Sequence, residues 1–140
     1  MPQRIVPFIG YEDAAAAIEW LCDAFGATES GERYTDADGT ISHAELSFGE
    51  GATFYLSTPK DYVAPRTHRA ACELARRMHD NPWVIDGQFV EVDDLDAHYA
   101  RAREHGATVL REPEDPGVGF RIYAAEDPEG HRWMFGERVG

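Results

Sequence analysis

An imidazole and a carboxylate stand two residues apart in the segment His43-Ala44-Glu45. Such a pair can move protons, the carboxylate as general base and the imidazole assisting. Side chains of an extended chain alternate between faces. Ala44, Leu46 and Phe48 then form one apolar face, and His43, Glu45 and Ser47 the other. Glutamate is disfavoured in mid-strand, and an unpaired charge taken out of water costs several kcal/mol. Glu45 is therefore expected to have a partner. Two other spacings with a metal-binding look fail. Asp36-Ala37-Asp38-Gly39 faintly resembles a calcium loop, but its glycine is misplaced and Ser47 stands where the bidentate glutamate belongs. It reads as a hairpin turn. His98 and His105 are seven apart on one helix, beyond the i, i+4 spacing of helical ligand pairs, and are expected to be solvated.

The elements that position these residues can be read from caps and periodicity. Ile5 to Ile9 reads as a strand. Asp13 can cap a helix whose Ile18, Leu21, Cys22 and Phe25 follow helical spacing, and Gly26 ends it. Strands Thr28 to Thr35, Ile41 to Phe48 and Ala52 to Ser57 follow, joined by tight turns. The order then repeats. Gln88 to Val92 is a strand, and Asp93 or Asp94 caps a helix carrying Leu95, Tyr99 and Ala102. Strands Thr108 to Glu112, Phe120 to Ala125 and His131 to Glu137 complete the set. Phe25-Gly26-Ala27-Thr28 matches His105-Gly106-Ala107-Thr108 at an offset of 80 residues. Matched element order with matched caps marks an internal repeat. Between the halves, Pro59 and Pro65 break structure and Thr67 to His79 reads as a short helix. The expected organisation is a module over 1–60, a linker over 61–85 and a second module over 86–140.

Composition sets outer limits. A chain of 140 residues with 43% hydrophobic and 28% charged residues is ordinary for a globular protein. Roughly two thirds of its surface can be buried, so no disulfide or metal is needed for stability. Cys22 and Cys72 belong to no C-x-x-C and are expected as buried free thiols in a reducing cytoplasm. No apolar run approaches the roughly 20 residues of a membrane span, and no signal peptide is visible. Thirteen basic residues face 26 acidic ones, a net charge of -13. That balance disfavours a nucleic-acid partner, which binds through Lys and Arg.

Paired β-α-β-β-β modules resemble the vicinal oxygen chelate superfamily, of glyoxalase, bleomycin-resistance and extradiol dioxygenase type. The resemblance covers nearly the whole chain. It is carried by Phe25-Gly26-Ala27, His43-Ala44-Glu45-Leu46, Val90-Glu91-Val92-Asp93-Asp94 and Asp127-Pro128-Glu129-Gly130-His131-Arg132-Trp133. This last motif is similar to a bacterial glyoxalase-like branch, and Pro82-Trp83-Val84-Ile85-Asp86-Gly87 to one of its subgroups. The resemblance implies an α+β fold of two tandem modules, about 4–58 and 86–138. Their curved mixed sheets form a cup that holds a ligand, with the helices outside.

Alternation then assigns the cup lining. Phe8, His43, Glu45 and Tyr55 come from the first module, and the cup that the resemblance implies would give Glu45 Arg121 or a ligand cation as partner, with His43 and Tyr123 as hydrogen-bond neighbours. Phe89, Glu91, Arg121, Tyr123 and Met134 come from the second, leaving Phe120, Ile122, Trp133 and Phe135 for the core. The superfamily's metal positions fall near Val6 or Pro7 and on Glu45, Gly87 and Met134, which lack an N/O ligand set. No cofactor is expected. The first reading is a metal-free protein that binds an organic ligand, flat or cationic, between aromatic walls and carboxylates. The second is a lyase or isomerase, with Glu45 as general base assisted by His43 or Tyr123. The third is a dimer-forming domain with a vestigial cavity. We take the first, together with a homodimer and a cytoplasmic location.

Overall fold

The computed structural model describes residues 2–80 and 87–140. The subgroup signature at residues 82–86 and the lead-in at residue 81 lie outside the described residues. Contacts divide the chain into two units, Met1–Tyr62 and Val63–Gly140. Each contains a β-α-β-β-β module with a four-stranded mixed sheet, an α+β architecture in tandem.

The first unit runs β1 (Phe8–Gly10), α1 (Ala14–Phe25), β2 (Thr28–Thr35), β3 (Ile41–Phe48) and β4 (Ala52–Ser57). Helix α1 starts where Asp13 Oδ1 accepts the Ala16 N–H at 3.0 Å, satisfying one of the unpaired donors of a first turn. It ends at Gly26, whose φ of 78° is the left-handed conformation that glycine adopts without penalty. Ile18, Leu21 and Phe25 are buried, while Cys22 is half-buried with its thiol pushed up by burial. The sheet order is β1-β4-β3-β2, with β1 parallel to β4. The expected Ile5 start is too early: Ile5 is exposed and β1 begins at Phe8. Ala44 pairs with Leu56 and Leu46 with Phe54, which buries the centre of one face of this sheet. Gly39 N–H donates to Asp36 O at 2.9 Å, the hairpin turn read from the sequence.

The second unit opens with α2 (Pro65–Ala71) and α3 (Glu73–His79), followed by β5 (Gly87–Glu91), α4 (Leu95–Glu104), β6 (Thr108–Glu114), β7 (Phe120–Glu126) and β8 (Arg132–Arg138). The single helix expected over Thr67 to His79 is broken at Cys72, whose backbone is extended (φ -133°, ψ 117°). Cys72 is thus an interhelical, half-buried residue rather than a buried helical one. Asp94 caps α4, accepting the Ala97 N–H at 3.0 Å. The sheet order β5-β8-β7-β6 repeats that of the first unit.

Asp127 explains the terminal motif. Its Oδ1 accepts from the N–H groups of Glu129 and His131, at 3.1 and 3.0 Å, and its Oδ2 from Trp133 Nε1 at 3.1 Å. The motif is a buried turn that ties the β7–β8 hairpin to the largest core side chain.

Candidate functional site

Pairing across the first sheet lines up Phe8, Tyr55, Glu45 and Ser30 on β1, β4, β3 and β2. These residues alternate with the buried Ala44, Leu46, Phe54 and Leu56. They therefore occupy the face turned away from the apolar core, called here the open face. Beside this row, His43 pairs with Tyr34 in register. Its ring centroid lies 4.9 Å from that of Tyr55 and 6.0 Å from that of Tyr34. His43 Nε2 donates to Glu45 Oε1 at 3.3 Å. The structure thus brings together Phe8, His43, Glu45 and Tyr55, and adds Tyr34, which was not singled out in the sequence. Tyr34 could have been found by pairing β2 to β3 in register.

Glu45 is less enclosed than its mid-strand position implied. Its side chain keeps 37% of its surface exposed, and His43 keeps 31%. Space beside it comes from β2. The register slips between Ser30 and Tyr34, and Gly31 sits in the bulge at φ 69°. A Cβ there would stand 3.9 Å from Glu45 Oε2, so the bulge lies beside that carboxylate.

In the second unit the equivalent row is Phe89, Met134, Ala124 and Arg111. By register Met134 corresponds to Tyr55 and Ala124 to Glu45, so the imidazole–carboxylate pair is not repeated. Phe89 and Phe120 meet edge-on at 5.2 Å. Both lie over Gly136, where a Cβ would approach the Phe89 ring to 2.5 Å. Arg138 covers the Phe120 ring at 4.8 Å and bonds Glu91 Oε1 at 2.7 Å. Phe89, Glu91 and Met134 are therefore on this sheet's open face, as expected, but Glu91 already holds a guanidinium.

Two expected site residues are elsewhere. Tyr123 is fully buried, with its ring 5.2 Å from Phe135 and 5.1 Å from Tyr99 of α4. Its hydroxyl bonds His98 Nδ1 at 2.5 Å, and burial raises its pKa. His98, expected in solvent, is thereby half-buried, its ring centroid 4.2 Å from that of Phe135. Arg121 shares this helix-side face and bonds Asp96 Oδ1 at 3.0 Å, with Glu137 3.6 Å away. Its expected engagement with Glu45 is replaced by these carboxylates. The reason is register: Tyr123 pairs with Phe135 and Arg121 with Glu137, and paired residues of antiparallel strands share a face. Ile122 is buried, as expected of a core residue, whereas Phe120, also assigned to the core, is only half-buried and meets Phe89 on the open face.

The metal positions that the resemblance implies do not fit an N/O-ligated ion. Pro7 offers a backbone carbonyl already used by the Tyr55 N–H, at 2.9 Å. Gly87 has no side chain to offer a ligand, and a Cβ there would already be 3.3 Å from the Arg132 carbonyl. Met134 supplies only a thioether. Among the described residues no three His, Cys, Asp or Glu side chains converge. No described helix is long and apolar enough to cross a membrane.

The family model for the Glyoxalase/Bleomycin resistance protein/Dioxygenase superfamily matches residues 4–135. The protein Rv0887c of Mycobacterium tuberculosis is 33% identical over 133 residues, covering 95% of this chain and 73% of its own. Among solved structures, TioX from Micromonospora sp. ML1 superposes with a TM-score of 0.68 at 27% identity, covering 99% of this chain and 98% of its own. TnmS3 from Streptomyces sp. CB03234, an antibiotic binding protein, superposes at 0.65 and 18% identity, covering 99% of each chain.

Proposed function

Because the chain belongs to the glyoxalase/bleomycin resistance protein/dioxygenase superfamily, we propose that it binds a flat organic cation on the open face of its first sheet, without a resident metal. The observation that carries this reading is His43, set between the rings of Tyr34 and Tyr55 and bonded to the half-exposed Glu45 carboxylate, with Phe8 beside Tyr55 in register. Aromatic faces attract cations and stack on planar rings, and the carboxylate adds a charge that selects for the cationic form. Its likeness in fold to an antibiotic-binding protein and the poor fit of the metal positions support it. A cytoplasmic, homodimeric protein is part of the proposal.

Isothermal titration with ethidium, a planar cation, against phenanthridine, its uncharged ring skeleton, tests the reading. Ethidium is expected to bind more tightly. Glu45→Gln keeps the shape and removes the charge, so it should weaken ethidium about ten-fold or more and leave phenanthridine within about two-fold. Equal affinity of the wild type for both, or an unchanged ethidium affinity in Glu45→Gln, would remove Glu45 from the site.

A second reading is favoured by the His43–Glu45 hydrogen bond, which orients the carboxylate as a base. In that reading Glu45 abstracts a proton next to a carbonyl in a lyase or isomerase step. It predicts that Glu45→Gln abolishes deuterium uptake from heavy water by a bound carbonyl compound.

A further inference from the structure

We propose that α2 and α3 form a strap, latched to the second sheet by Glu126, that opens as a unit while the rest of that unit stays folded. This inference is independent of what either sheet binds. Neither helix contains a buried residue, and they pack on each other more than on any strand. Their most enclosed positions include Arg69, Cys72, Ala75 and His79, while Leu74 and Met78 point outward and are exposed. Among the described residues, apolar burial, the ordinary force that docks a short amphipathic helix, is thus limited on the inner side to half-buried positions such as Pro65 and Ala75.

Ionic contacts take its place. Glu126 is 1% exposed and lies beside Arg132 in the β7–β8 register. Both alternate with Ala125 and Trp133, which pack on the α4 side, so both belong to the opposite face. From the strap, Arg69 grips both oxygens of Glu126 at 3.3 and 3.1 Å, His79 Nδ1 lies 3.2 Å from Oε1, and Arg66 is 3.6 Å from Oε2. Arg132 also donates to the backbone carbonyl of His79. At the strap's start the Arg66 N–H donates to Glu129 O at 3.0 Å. There Gly130 makes room for the Arg66 backbone, since a Cβ would come within 2.8 Å of its nitrogen.

One end is therefore held by backbone packing, and the remainder by the buried Glu126 carboxylate together with Arg132 at His79. Breaking a buried ion pair from one side is strongly unfavourable because the other charge is left without compensation. Segments with little apolar contact open before the core does. Opening uncovers the Glu126–Arg132 end of the sheet's open face.

Hydrogen–deuterium exchange read by mass spectrometry on the full chain tests this in the wild type, Glu126→Gln and Arg69→Met. Arg69→Met changes only the strap, so the sheet's own charges remain even if Glu126→Gln perturbs folding. The expected result is that amides of 65–79 exchange about ten-fold or more faster in Arg69→Met, with β7, β8 and α4 within about two-fold of wild type. Unchanged protection of 65–79 in Arg69→Met overturns the proposal. So does loss of protection in the strap and the sheet together in that variant.

Discussion

The indole N–H of Trp133 donates to Asp127 Oδ2 at 3.1 Å, and both side chains are 1% exposed. The same carboxylate caps the turn through Glu129 and His131. Asp127→Ala leaves a buried indole donor and two turn amides without that acceptor, and it should cost about 3 kcal/mol. Urea denaturation measures it, and a loss below about 1 kcal/mol would mean that the motif is not a structural tie.

Tyr123 is the case where the core claims a residue with a catalytic-looking side chain. Tyr123→Phe keeps the ring packing and removes only the bond to His98, so the expected loss is about 1 kcal/mol. Ethidium affinity should stay within about two-fold. A ten-fold drop, with stability intact, would return Tyr123 to the binding site.

Arg121 holds the Asp96 carboxyl below its ordinary range, first through their hydrogen bond and then through charge. A carboxyl lowered in the folded state adds stability above the ordinary aspartate pKa, and that stability is lost as pH falls through the folded value. Asp96→Asn should therefore melt slightly lower than wild type near pH 7, with the gap narrowing as acid is added from about pH 4 downward. The pair is exposed, so the shift is small. A gap that grows in acid would contradict this pairing.

Two-fold symmetric association is the expected state in solution. Sedimentation or light scattering at micromolar concentration should give twice the 15.6 kDa chain mass. A monomeric mass there would overturn the homodimer.

Local chemistry determined much of this protein. Asp13 and Asp94 cap their helices because a carboxylate before an apolar period satisfies first-turn donors wherever it occurs. From His43 to Phe48 on β3 one parity is Ala44, Leu46 and Phe48 and the other is polar, so alternation alone placed His43 and Glu45 on the open face. The β7 segment Phe120–Glu126 has apolar residues on both parities, and alternation could not choose between them. Pairing with Trp133 and Phe135 of β8 made the choice, sending Tyr123 inward and Phe120 outward. Glu126 and Arg69 are 57 residues apart, and nothing in the spacing links them. Only the folded second unit brings such charges close enough for burial to make their pairing obligatory.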